Sequence, residues 1–293
     1  MRYGYRLARY QAAVTRTAYR RSLPAIVRCR IRSRASIPVH VVAFSSAYDL
    51  PEQVASIRSF LRHVGTPLTI TVVSDGSHDT RQRSLLERLH TKVTVTRYDD
   101  FARSDLPDAV LSYADVHPMG KKLMVLASLP SLPALYVDSD VLFFSPSGGQ
   151  DMRQILIDTQ TRYLTQGWSV GYDMNVLPEQ EGAAVNAGFL LVAEQLDWAA
   201  AFAYMPDRVS SADIYLEQTL VHIAIRAIGG QPLPSDRFAI HRVDQFEYRD
   251  LSGVDGSVLR HYVSITRHKF WLALLGSSFL AARLSRRTRF GGC

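Results

Sequence analysis

Leu135-Tyr136-Val137-Asp138-Ser139-Asp140-Val141-Leu142-Phe143-Phe144 is an apolar run broken by two carboxylates one residue apart. Ala134 to Val137 reads as a short buried strand, which places both aspartates just past its carboxyl end. Two like charges among apolar neighbours are costly unless a cation or hydrogen bonds compensate them. Carboxylates are hard oxygen ligands of the kind that hold Mg²⁺ or Mn²⁺. The plain alternative is a pair of turn-forming aspartates that cap the strand.

Upstream, strand-like and helix-like segments alternate. Pro38 to Phe44 reads as a strand, Leu50 to Val64 as a helix, and Leu68 to Val73 as a strand closed by Ser74-Asp75-Gly76-Ser77. Residues 78–90 read as a helix, Val93 to Thr96 as a strand, and Gly120 to Leu129 as the helix leading into the strand at 134–137. This rhythm predicts an α/β fold with a mostly parallel central sheet and helices on both faces. Ligands of such sheets bind beyond the carboxyl ends of the strands. The loops Ser45–Tyr48, Ser74–Ser77 and Asp138–Asp140 are therefore where a site is expected.

Several chemistries are excluded by pattern. A phosphatase of the haloacid-dehalogenase type opens its chain with the aspartate motif, carries Thr or Val where Leu142 stands, and adds a Gly-Asp acidic motif that is absent here. Gly120-Lys121-Lys122 is not a phosphate loop, because Asp115 stands at the first glycine and Lys122 replaces Ser/Thr. Neither GxGxxG nor GxSxG occurs.

Four ordered motifs carry a resemblance. Lys121-Lys122-Leu123 through Leu129-Pro130 to Leu135–Val141 resembles the central segment of glycosyltransferase family 8 and its bacterial relatives. In that family a basic residue opens a helix ending in Leu-Pro that leads to Leu-Tyr-x-Asp-x-Asp-x-Leu. Val185-Asn186-Ala187-Gly188-Phe189-Leu190-Leu191-Val192 is similar to its Asn-Ala-Gly strand, and Leu216-Glu217-Gln218 to its acidic-Gln pair. His261-Tyr262-Val263 with Lys269-Phe270-Trp271 is similar to its terminal motif. That motif lacks the family's Gly and Pro here, and two extra residues separate His261 from Trp271, implying a remodelled diphosphate loop.

The resemblance implies a GT-A (Rossmann-like) fold and a metal-dependent transfer of a hexose from a nucleoside-diphosphate sugar, UDP-linked, to an acceptor hydroxyl with retention. It implies Mn²⁺ or Mg²⁺ held by Asp138, Asp140 and His261. Asp75, Lys121, Lys122, Asp138, Ser139, Asn186, Gly188 and Lys269 would bind the donor, with Lys269 on the diphosphate and Asn186 and Gly188 lining the sugar site. Gln218, Glu217 and Asn186 would act at the reacting centre, with Glu217 and Asp244 as candidates for an inverting base. Tyr172-Asp173-Met174-Asn175 is a further stretch that could reach donor or acceptor, and Trp168, Trp198 and Trp271 are read as core. The acceptor class stays open between glycan, lipid-linked and small molecules. The alternative is a non-catalytic nucleotide-sugar or polysaccharide-binding protein of the same fold.

Charge is segregated. Residues 1–34 hold ten arginines and no acid, so the net +7 of the chain becomes 24 basic against 27 acidic residues, −3, over the remainder. A mildly acidic body argues against nucleic acid as partner. Of 34 basic residues only four are lysines, and three of those, Lys121, Lys122 and Lys269, fall in the motifs, where a compact ammonium suits phosphate. Two cysteines, Cys29 and Cys293, form no framework. The expected organisation is a basic, helical N-terminal extension over 1–35, a GT-A domain over 36–272 and a basic tail over 273–293. The extension is read as a helix packed on the body or a solvated tail, or as an interfacial helix contacting anionic lipid with the basic tail. No apolar run spans a membrane. The expected location is the cytoplasm or the inner face of the membrane.

Overall fold

The computed structural model of the chain describes residues 3–31, 35–129, 132–144, 146–157, 160–166, 184–205, 214–240, 244–250 and 257–275. In chain order these form α1 (Tyr3–Ile26), β1 (His40–Ser45), α2 (Leu50–His63), β2 (Thr69–Ser74), α3 (Thr80–Glu87), β3 (Val93–Arg97), α4 (Tyr98–Phe101), α5 (Asp108–Val116) and α6 (Pro118–Ala127). There follow β4 (Ala134–Val137), β5 (Val141–Phe143), α7 (Pro146–Ile157), β6 (Arg162–Gln166), β7 (Ala184–Val192), α8 (Trp198–Phe202), α9 (Leu216–Ala227), β8 (Gln231–Pro232), β9 (Phe238–Ala239) and β10 (Leu259–His261). A last helix covers residues 267–275.

Seven strands form the central sheet in the order β3-β2-β1-β4-β7-β6-β8. β1 to β4 are mutually parallel, while β7 runs antiparallel to both β4 and β6. Strand order reverses beside β1, so the carboxyl ends of β1 and β4 border the crevice where such sheets bind ligands. Alternate residues face opposite layers. Val41, Leu135, Val137, Phe189 and Leu191 pack with α2 on one face. Val42, Tyr136, Leu190 and Val192 pack with α5, α6 and α9 on the other. The two-sided helical cover expected from the rhythm is present; the antiparallel β7 and the helix α5 were not read from it.

Two packing details aim the site. A Cβ on Gly120 would lie 2.4 Å from the Ala114 nitrogen, so only glycine lets α6 cross α5 this closely. That crossing turns Lys121 and Lys122 toward the carboxyl ends of the strands. A second, three-stranded sheet, β5-β10-β9, pairs β5 antiparallel to β10 with His261 opposite Val141.

The arginine-rich leader is helical and docked. Ala8, Ala12 and Leu23 recur on one face of α1 and are buried. Arg16 donates to both oxygens of the buried Glu52 in α2, at 2.6 and 3.1 Å, and Trp271 Nε1 donates to the same carboxylate at 3.1 Å. Tyr19 packs on Trp271, and Tyr248 donates to Gln11 Oε1 at 2.6 Å. No helix among the described residues is long and apolar enough to cross a membrane.

Candidate active site

Asp138 leaves β4 with its N–H donating to the Gly188 carbonyl at 2.8 Å. Its Oδ1 accepts from the Tyr136 hydroxyl at 2.8 Å and its Oδ2 from Lys122 Nζ at 3.0 Å. Asp140 stands where the chain turns into β5, and the β5–β10 register sets His261 beside it. His261 Nε2 lies 3.0 Å from Asp140 Oδ1 and 3.6 Å from Asp138 Oδ2. Ligand atoms of these three residues all fall within 4.8 Å of one another. Ser139 is buried between the two aspartates.

Asn186 on β7 fixes the imidazole. Its Oδ1 accepts from the Gly188 N–H at 3.0 Å, which determines which amide atom is the oxygen, and meets His261 Nδ1 at 2.8 Å. An amide oxygen only accepts, so Nδ1 carries the proton. Nε2 is then the ring atom that faces the two carboxylates. Carboxylates this close to one another and out of water call for positive charge among them, a proton on Nε2 or a bound cation. Two hard oxygens and an imidazole nitrogen fit Mn²⁺ or Mg²⁺, and the Asn186 contact is the outer support such a ligand histidine ordinarily has. Asn186 Nδ2 in turn donates to Gln218 Oε1 at 3.1 Å, joining α9 to the cluster.

Electrostatics follow from the packing. Burial raises the Asp140 carboxyl, but His261 and Arg267 outweigh it and hold it well below the usual carboxylate range. Burial opposes the Lys122 charge, yet Asp138 and Glu217 together hold its ammonium above its ordinary value. Glu217 is nearly fully buried, 3.5 Å from Lys122, and burial pushes it up to about 7 against that attraction. Lys121 Nζ lies over the Tyr98 ring at 4.6 Å and 3.4 Å from the Asp75 carbonyl, while the Asp75 carboxylate holds Ser77 in a tight turn.

Two expectations are corrected. Lys269 does not face the crevice: it is fully buried, donating to the Glu247 and Arg249 carbonyls and lying 3.6 Å from Asp244. Two residues of helix rotate a side chain by about 200°, so Arg267 points where Lys269 was expected. Arg267 donates to Asp140 Oδ2 and to Asp49 Oδ1, each at 3.1 Å. Gly188 lies against the histidine, where a Cβ would stand 2.0 Å from His261 Cε1. Asp244 is no base: it is buried in a two-armed pair with Arg260 at 2.9 and 2.8 Å. Arg267, Asp49 and Tyr136 were not singled out as site residues. The helical phase of Arg267 with Trp271 was the available signal. Trp168 and Tyr172–Asn175 lie outside the described residues.

No family model and no curated protein sequence matches the chain. Solved structures do. The glycosyltransferase GlyE of Streptococcus pneumoniae TIGR4, in its apo form, superposes with a TM-score of 0.51 at 13% identity, over 86% of this chain and 64% of its own. WbbM, a bifunctional glycosyltransferase, gives 0.54 at 12% identity, over 85% and 51%. The galactosyltransferase LgtC, in complex with donor and acceptor sugar analogs, gives 0.50 at 14%, over 82% and 96%. The chain has the GT-A fold. The chain spans less than two thirds of the GlyE and WbbM chains and nearly all of LgtC. At these identities the likeness concerns the fold, and the chemistry rests on the cluster.

Proposed function

We propose that the chain is a divalent-metal-dependent glycosyltransferase that moves a hexose from a UDP-linked donor to an acceptor hydroxyl with retention at the anomeric carbon. The observation that carries this reading is the Asp138–Asp140–His261 cluster at the carboxyl edge of a GT-A sheet, with its imidazole turned by Asn186 so that Nε2 faces both carboxylates. Mn²⁺ or Mg²⁺ held there supplies charge neutralisation for a diphosphate leaving group. The three superposable structures are all glycosyltransferases, which supports the activity class.

The chain's own residues supply the rest. Tyr136 and Lys122 orient the Asp138 carboxylate. Arg267, on the site side of its helix, is the cation we assign to the diphosphate, in place of Lys269. Lys121 and Asp75 sit at the rim after β2, where the nucleoside is expected. Asn186 and Gln218, hydrogen-bonded to each other, are assigned to the sugar. Retention is favoured because the Asp244 carboxylate is locked on Arg260 and Glu217 lies nearly fully buried against Lys122. The acceptor, a glycan, lipid-linked or small-molecule hydroxyl, is left to its own assay.

One observation favours a second reading, a non-catalytic nucleotide-sugar or polysaccharide-binding protein. Arg267 already places a cation 3.1 Å from Asp140. Calorimetric titration of UDP, with Mn²⁺ and with chelator, on wild type and Asp140→Ala separates the two. Binding that needs both metal and Asp140, followed by turnover with UDP-hexoses, supports the enzyme. Binding indifferent to both supports the second reading. An inverted product anomer by NMR would remove retention.

A further inference from the structure

The docked face of α1 is fixed by Ala8, Ala12 and Leu23, with Arg16 on Glu52. The opposite face has no such partners among the described residues, yet it carries Tyr3, Leu7, Tyr10 and Val14, which are 83%, 37%, 69% and 50% exposed. Spaced four, three and four apart, they fall within about 60° of one another and roughly opposite the buried face. An apolar stripe on water, at helical spacing, is a surface that meets something. Its surroundings say what. Arg6, Arg9 and Arg20 are exposed along one flank and Arg21 continues the stripe, while residues 1–34 contain no acid.

We propose that this face of α1 is a docking surface for an anionic lipid bilayer, with Tyr3, Leu7, Tyr10 and Val14 entering the headgroup boundary and Arg6, Arg9, Arg20 and Arg21 pairing with lipid phosphates and carboxylates. An apolar row beside a basic row, with tyrosines among the inserted side chains, is the arrangement of a helix lying in the interface plane. The helix is already folded against the body, so docking does not have to order it. The surface is independent of the proposed chemistry, and each can fail without the other.

The test is cosedimentation of the full chain with vesicles of phosphatidylcholine containing about a third phosphatidylserine, and with phosphatidylcholine alone. Wild type is expected to pellet with the anionic vesicles only, and to be released by high salt. Leu7→Glu with Tyr10→Glu should lower partitioning at least ~10-fold. Arg6→Gln, Arg9→Gln and Arg20→Gln together should lower it about fivefold per arginine. Both variants should keep the wild-type melting midpoint, because these side chains point away from the body; if the glutamate variant does not melt cooperatively, Leu7→Gln with Tyr10→Gln takes its place. Wild type that stays in solution with both vesicle types overturns the proposal. So do variants that pellet like wild type, and so does a stripe substitution that dissolves a dimer in sedimentation velocity instead of releasing lipid.

Discussion

Gly188→Ala tests how the histidine is seated. A Cβ at 188 would stand 2.0 Å from His261 Cε1, 2.3 Å from Nδ1 and 2.8 Å from Nε2. Restoring ordinary contact near 3.4 Å requires the ring to retreat by about 1.4 Å. The imidazole is buried, and Asn186 grips its Nδ1 at 2.8 Å, so the retreat breaks that hydrogen bond and carries Nε2 away from Asp140. Overpacking of this kind costs about 1–3 kcal/mol of stability. Loss of the outer support costs ~10–100-fold in metal affinity. Urea unfolding in chelator of Gly188→Ala, His261→Ala and the double variant closes a cycle. The alanine at 188 should be nearly harmless once the ring is gone, a coupling of about 1–2 kcal/mol. Mn²⁺-dependent UDP binding should fall in Gly188→Ala while the fold persists. The reasoning is refuted if the 188 substitution costs as much without the ring as with it, or leaves Mn²⁺-dependent binding unchanged.

Glu217 offers a pH signature. Its folded value is about 7 against an ordinary 4.5, so its contribution to stability is fully present below 4.5 and is lost as pH rises toward 7. Glu217→Gln should therefore gain on wild type by about 3 kcal/mol between those limits, read as diverging urea midpoints; parallel midpoints would place the raised value elsewhere. Arg267→Ala and Lys269→Met should separate cleanly. The first weakens UDP binding and lowers the melting midpoint less than the second, since Arg267 is partly exposed at the crevice although its loss leaves the buried Asp140 with one cation fewer. The second lowers the melting midpoint by leaving the buried Asp244 and two backbone carbonyls short of a donor; if Lys269→Met instead lost UDP binding at unchanged stability, the helix phase described above would be wrong.

The sheet was legible because its strands are short apolar runs ended by polar turns, and Asp138 and Asp140 because two charges interrupt such a run. Strand direction was not legible: Ala184–Val192 is apolar apart from Asn186 and buried along its whole length, so no alternation marks its direction. His261 was found through its company rather than its own chemistry. Lys269 and Arg267 were exchanged because a motif read in one dimension ignores that residues two apart on a helix face opposite ways. The role of Asn186 as the hydrogen-bond acceptor for the histidine needed the β7–β10 juxtaposition, which no spacing within either segment encodes.

The three candidate ligands occupy positions 138, 140 and 261, and β5, which begins beside Asp140, has β10 as its neighbour. During synthesis the two aspartates leave the ribosome long before their histidine, and the strand that follows Asp140 waits unpaired for residues 259–261. For that interval the nascent chain presents two carboxylates and an open strand edge with neither metal grip nor partner, a state exposed to mispairing. Expression yield should therefore respond to whatever shields that edge before residues 259–261 arrive.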